Sequence, residues 1–187
     1  GDPYYDHPLN GVSILARLLN KKGYKVGIIP QPLKDEDYKA CGKPRYFFCI
    51  SSGLLDSMLA NYTPMLHKRE NVLVPERALM VYTQKIKEAY KGSMTVLGGV
   101  EATIRRFTHF DYRTNELRRG ILNDTKADLL LFGNGDRSIL TLLERMKGVK
   151  RKEQGTDFEK VRDTLDLATI DGLAFRIKKT EMNPKIR

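Results

Sequence analysis

Three short apolar runs in this chain end on glycine, and a stretch with helical spacing follows each. Phe47, Phe48, Cys49 and Ile50 lead into Ser51-Ser52-Gly53, residues 94–97 into Gly98-Gly99, and residues 128–132 into Gly133-Asn134-Gly135. Consecutive apolar positions over so few residues mark strands buried on both faces. Alternating with helices, they predict an α/β, doubly wound, mostly parallel sheet in a three-layer sandwich. Ligands of such sheets sit beyond the carboxyl ends of the strands, which is where these glycines fall.

The remaining segments fit that plan. Residues 11–22 set Val12, Leu15, Leu18 and Leu19 at helical spacing, and Gly23 supplies a stop. Residues 24–29 read as a strand, 34–37 as a short helix, 45–51 as a strand and 54–61 as a helix. Pro64 and Pro75 mark 62–75 as a long loop. A helix is predicted over 76–91, another opening near Val100, and a third over 138–146. Residues 1–150 form the expected α/β domain. Residues 151–187 are expected to hold a basic linker, a short helix near 158–165 and a final strand at 173–177. Gly1-Asp2-Pro3 resembles a strand-to-helix turn, so a first strand is expected upstream of Gly1.

The chain has 187 residues, enough for one domain with a real core. Its 33 basic and 23 acidic residues give a net charge of +10. That charge favours anionic partners without choosing among nucleic acid, phosphorylated ligands and acidic surfaces; an ordinary solvated surface explains it equally well. No apolar run approaches the roughly 20 residues of a membrane helix, and no signal sequence is visible. Cys41 and Cys49 show no metal-binding spacing, and His7, His67 and His109 lie far apart. Two cysteines in such a length suggest a reducing, cytoplasmic compartment. Cys49, within an apolar run, is expected to be buried. No metal site is expected.

The glycine turns carry the chemistry. Gly98-Gly99, followed by Val100-Glu101-Ala102-Thr103, lets backbone amides approach a ligand and favours an anion; a plain tight turn is the alternative. Glu101 could also cap the helix or pair with Arg105. Gly133-Asn134-Gly135-Asp136 is a second such turn, with Asp136 near a helix start. Neither turn is a P-loop or a dinucleotide fingerprint. Residues 101–119 interleave Arg105, Arg106, Arg113, Arg118 and Arg119 with Phe107, His109, Phe110 and Tyr112. This mixture suits stacked bases and phosphates, acidic residues of a neighbouring domain, or simply an exposed helix face. Asp6-His7 reads as capping as readily as chemistry.

Taken together, five motifs carry a resemblance. They are Gly1-Asp2-Pro3-Tyr4-Tyr5-Asp6-His7-Pro8; residues 47–58, including Ser51, Ser52 and Asp56; Leu97 to Arg106; His109-Phe110-Asp111-Tyr112; and Lys126-Ala127-Asp128 through Asp136. In this order they resemble the N-terminal region of the YgiQ-like family of radical S-adenosylmethionine (SAM) proteins. The resemblance implies a flavodoxin-like, cobalamin-binding-type domain preceding a radical SAM barrel. It implies a [4Fe–4S] cluster and SAM in that barrel, held by a Cys-x-x-x-Cys-x-x-Cys motif that these 187 residues lack. Gly98, Gly99, Glu101, Thr103, Gly133, Asn134, Gly135 and Asp136 would line the cofactor or substrate cleft. Asp6, His7, Ser51, Ser52, Asp56, Arg105, Arg106, His109 and Tyr112 would face the cleft or the partner domain. One class of corrinoid domains uses Asp-x-His-x-x-Gly. Here Asp6 and His7 are adjacent and His7 stands four before Gly11, so the register for a cobalamin-ligating histidine fails, leaving cobalamin bound without a protein ligand or lost as the alternatives.

The leading expectation is thus an accessory domain of a radical SAM enzyme, inactive alone, with its own C-terminal radical SAM domain and an anionic or small-molecule substrate as partners. A nucleic-acid-binding module and a stand-alone flavodoxin-like small-molecule binder are the alternatives.

Overall fold

The computed structural model describes residues 1–4, 6–147, 149, 158, 162 and 164–177. Helix α1 (Gly11–Lys21) is capped by Asn10, whose Oδ1 accepts from the amides of Val12 and Ser13. Strand β1 (Phe48–Ile50) leads to α2 (Ser57–Asn61) and α3 (Ala78–Ala89). Strand β2 (Thr95–Leu97) leads to α4 (Gly99–Ile104), then to a hairpin of β3 (His109–Asp111) and β4 (Glu116–Arg118). Helix α5 (Ile121–Thr125), β5 (Leu129–Leu131), α6 (Asp136–Lys147) and β6 (Leu173–Phe175) complete the order.

The main sheet runs β1-β2-β5-β6. The first three strands are parallel, and β6 adds antiparallel to β5. This is the mixed, mostly parallel sheet of a doubly wound α/β fold. Side chains alternate across it as strand geometry requires. Val96, Leu129 and Leu131 face a core built with Leu19 of α1 and Ile139, Leu142, Leu143 and Met146 of α6. Ile50, Leu97 and Leu130 face the opposite core, built with Ala78, Leu79, Tyr82 and Ile86 of α3 and Ile121 and Leu122 of α5. Leu97, Leu129 and Leu130 are fully buried; each such side chain contributes about 1.5–3 kcal/mol relative to exposure.

Several elements differ from the sequence reading. Residues 24–29 half-bury Tyr24, Val26, Ile28 and Ile29 but form no ladder, because a strand exists only where a neighbour offers its backbone. Cys49 is exposed rather than buried. It lies mid-strand in β1, the edge of the sheet, on the face that Val96 shares one strand further in. The basic–aromatic stretch is no continuous helix: after α4 it turns into the β3–β4 hairpin, with Asn115 left-handed at φ 57°. Leu165, Leu167 and Ile170 pack in the α1/α6 core, so residues 164–177 share the sheet and core of the preceding residues. The basic run at 147–152 and the helix expected at 158–165 lie largely outside the described residues. No helix among the described residues is long and apolar enough to cross a membrane.

Candidate functional site at the carboxyl ends of the strands

The loops leaving β1 and β2 meet. Ser51 Oγ accepts the Gly53 amide at 3.1 Å, and Ser52 Oγ donates to the Leu55 carbonyl at 2.9 Å. Gly99 adopts φ +86°, and a β-carbon there would stand 2.7 Å from Ser51 Oγ. Gly53, at φ +113°, leaves space for the Asp2 carboxylate, which a β-carbon would overlap. That carboxylate accepts the Leu54 amide at 2.5 Å. A side chain at either position would strain the backbone and displace its neighbour. The crevice therefore gathers Asp2, Ser51, Ser52, Gly53, Gly98 and Gly99. A carboxylate from the chain itself already occupies one of its backbone donors, as an anion would.

Directly behind it lies a buried polar layer. Glu101 is 1% exposed; its Oε2 accepts the Ser57 amide at 2.8 Å and its Oε1 the Leu79 amide at 3.5 Å. It thus ties the first turns of α2 and α3 to α4, and it does not pair with Arg105. Asp56 caps α2 through the amides of Met58 and Leu59. Arg105 grips the same carboxylate by Nε and Nη2, and its Nη1 lies 3.1 Å from His109 Nε2. Arginine can only donate, so Nε2 accepts and His109 carries its proton on Nδ1, directed at the Phe107 carbonyl at 3.1 Å. Burial, and then the Asp56 carboxylate, push the nearby Tyr112 phenol above its ordinary value.

Arg77 and the other arginines of this stretch are also engaged. Asp111 accepts Arg77 at 2.7 Å, and Asp124 accepts Arg118 and Arg119, each at 3.3 Å. Arg113 lies over the Tyr62 ring, and Arg106 over Phe107 and Phe132 while donating to the Thr103 carbonyl. Burial opposes ionisation of Asp111, but Arg77 and the amides of Arg113 and Thr114 outweigh it and hold the carboxyl below its ordinary range.

The remaining expected site residues fall elsewhere. Thr103 Oγ1 donates back to the Gly99 carbonyl within α4. Gly133, Asn134, Gly135 and Asp136 form the turn after β5, at the same end of the sheet but one strand beyond β2. Asn134 and Asp136 are exposed there. Asp6 pairs with Arg17 and not with His7, whose Nδ1 accepts the Leu9 amide at 3.1 Å. Two site residues escaped the sequence reading, Arg77 and the Asp2 carboxylate. No local signal marks Arg77, because its partner is 34 residues away.

A [4Fe–4S] cluster of the radical SAM type needs three thiolates, and this chain has two cysteines. No group of three His, Cys, Asp or Glu side chains suited to a metal occurs among the described residues. His7 folds onto its own loop, with no carboxylate orienting it. The residues present fit neither the cluster nor a histidine-ligated corrinoid.

The family model described as Radical SAM N-terminal matches residues 1–184. The chain belongs to this family. A UPF0313 protein of Geobacter sulfurreducens is 44% identical over 183 residues, covering 92% of this chain and 29% of that protein. A UPF0313 protein of Methanocaldococcus jannaschii is 46% identical over 157 residues, 79% of this chain and 26% of its own length. One of Clostridium botulinum is 39% identical over 192 residues, 91% of this chain and 30% of that protein. The chain thus spans less than a third of the length of these relatives. No solved structure matches it significantly. The resemblance seen in the sequence motifs holds: this is a radical SAM N-terminal domain of the UPF0313, YgiQ-like group.

Proposed function

We propose that this domain serves as the accessory module of a radical SAM iron–sulfur enzyme and forms one wall of its substrate cleft. The observation that carries the reading is the convergence of Asp2, Ser51, Gly53 and Gly99 at the carboxyl ends of β1 and β2. Beside that crevice Leu54, Leu55 and Val100 are exposed. Apolar side chains next to a polar crevice suit a face that meets another domain. Cluster and SAM belong to the catalytic part of the longer protein, where SAM cleavage would supply the radical. This domain's residues bind, orient and exclude water. Its two cysteines are free of any disulfide, which suits a reducing compartment, and a cytoplasmic location is proposed on that ground.

A nucleic-acid-binding role draws less support. Arg77, Arg105, Arg118 and Arg119 pair with carboxylates of the domain itself, which lowers the charge available to phosphates.

The test uses the longer protein, reconstituted without oxygen. Iron–sulfur absorbance and reductive SAM cleavage are expected. Gly99→Val is expected to alter substrate turnover while leaving cluster content unchanged. A reconstituted protein with no cluster would overturn the reading.

A further inference from the structure

The β3–β4 hairpin packs with its faces reversed. An antiparallel sheet with one face on a core commonly turns apolar side chains inward and polar ones outward. Here the register pairs His109 with Arg118, Phe110 with Leu117 and Asp111 with Glu116. Successive side chains alternate between faces, so Phe110 and Leu117 share one face and the polar residues share the other. The polar face is the one that packs. Asp111 is 2% exposed and accepts Arg77 at the start of α3, Arg118 reaches Asp124 of α5, and His109 meets Arg105. The apolar face meets solvent, with Phe110 57% and Leu117 77% exposed.

Two guanidinium groups bracket that apolar pair. Arg106 stands at the base of the hairpin, its carbonyl against Gly120 just beyond β4. Arg113 stands in the turn between β3 and β4. Arg77, Arg105, Arg118 and Arg119 pair with carboxylates, whereas Arg106 and Arg113 pair with none among the described residues. They lie over aromatic rings instead, Arg106 at 4.5 Å from Phe107 and 5.1 Å from Phe132, Arg113 at 4.9 Å from Tyr62. A ring supports a guanidinium through its flat side and leaves donors in the plane for a carboxylate. Glu116 belongs to the Asp111 side of the ladder, away from the apolar pair.

Charge and length select the partner. From Arg106 to Arg113 the chain spans at most about 25 Å when extended, a length that a short extended peptide matches. Carboxylates at the two ends of such a peptide would meet the two guanidinium groups, with apolar side chains between them. A second copy would bring the same arginines together and join two chains of net charge +10. Single-stranded nucleic acid carries a charge at every nucleotide, whereas this face offers two cations around an apolar centre. The hairpin is held by Asp56 of the α2 cap, Arg77 of the α3 cap and Asp124 of α5, so it stands on the helix layer and apart from the Asp2–Gly53 crevice.

We propose that the outer face of the β3–β4 hairpin binds an extended acidic segment of a second protein. Its apolar side chains cover Phe110 and Leu117, and its carboxylates meet Arg106 and Arg113. Forked arginine–carboxylate contacts fix the register of the segment, and the apolar pair supplies surface removed from water. This surface is additional to the cleft wall of the accessory-module reading.

Fluorescence anisotropy with the longer native protein tests this. The probe is a labelled synthetic peptide of about eight residues, with glutamates at both ends and leucine and valine between. Saturable binding is expected, weaker on the order of tenfold when lysines replace the glutamates. Leu117→Asp and Arg113→Glu should each weaken binding of the glutamate peptide on the order of tenfold. Leu117 is exposed, so Leu117→Asp should keep the wild-type urea midpoint and separate lost binding from lost folding. No binding, or binding that both variants leave unchanged, overturns the proposal. Slow amide exchange over 109–118 that the peptide does not alter would give the face to the rest of the polypeptide and overturn it too. Dimerisation abolished by Leu117→Asp would give the face to a second copy, and tighter binding of a single-stranded oligonucleotide would give it to nucleic acid; either result overturns the proposal. Cluster content and SAM cleavage enter none of these readouts, so the accessory-module reading stands or falls separately.

Discussion

Arg105 holds Asp56 by two hydrogen bonds, Nε to Oδ2 at 2.7 Å and Nη2 to Oδ1 at 3.0 Å, across 49 residues of sequence. The Asp56 side chain is 2% exposed and that of Arg105 13%. Removing one partner of such a pair leaves a buried charge uncompensated, at a cost of about 3–5 kcal/mol. Arg105→Ala should fall near the low end, about 3 kcal/mol, since Asp56 keeps the two α2 amides. Arg105→Lys should lose less but not be neutral, because an ammonium cannot make the forked contact. Urea unfolding of the three proteins measures both; equal stability of wild type and Arg105→Ala would refute the assignment.

Glu101 joins three helices through backbone amides. Glu101→Ala leaves the amides of Ser57 and Leu79 without their acceptor and should cost about 2–3 kcal/mol. Glu101→Gln keeps one carbonyl oxygen and should cost roughly half as much. A Glu101→Gln protein less stable than Glu101→Ala would contradict this role.

At the crevice, Gly99→Ala meets two obstacles, a left-handed backbone costing about 1–2 kcal/mol and the Ser51 hydroxyl. Ser51→Ala removes the second and keeps the first. The double variant should therefore be less destabilised than the sum of the singles, by about 0.5–1 kcal/mol in a double-mutant cycle. Strict additivity would place the two residues apart.

Acid should weaken the hairpin's attachment. The folded carboxyl of Asp111 sits below its ordinary value, so its contribution is present above the unfolded value of about 3.9. That contribution is lost as pH falls through the folded value. Asp111→Asn should flatten the fall in stability below about pH 4. Unfolding curves at neutral pH and in acid compare the two proteins, and identical acid slopes would count against the Arg77–Asp111 contact.

Titration with single-stranded nucleic acid at low salt should show no binding that falls steeply with added salt. Tight, salt-sensitive binding would restore the nucleic-acid reading.

Local pattern alone placed much of the architecture. The apolar runs ending at Gly53, Gly98-Gly99 and Gly133 located β1, β2 and β5, because burial on both faces leaves no room for polar side chains. Helical spacing located α1, α3 and α6, and the motif order identified the family. What composition could not report is which groups meet. By sequence Arg105 suits Glu101, a ligand or a neighbouring domain, yet the fold turns it onto Asp56. Glu101, read as a cleft residue, is closed inside by α2 and α3. The β3–β4 hairpin had a signal in Asp111 and Asn115, since Asp111 accepts the amides two and three residues on and Asn115 takes the left-handed position; the arginines obscured it.

Local spacing and side-chain volume thus determined where strands, helices and glycine turns lie along this chain. Tertiary structure decided the rest: the antiparallel placement of β6, the partners of the arginines, and the unpaired state of segment 24–29. Periodicity is a property of neighbouring residues, whereas a sheet hydrogen bond or a buried ion pair exists only when a distant segment arrives with the matching group.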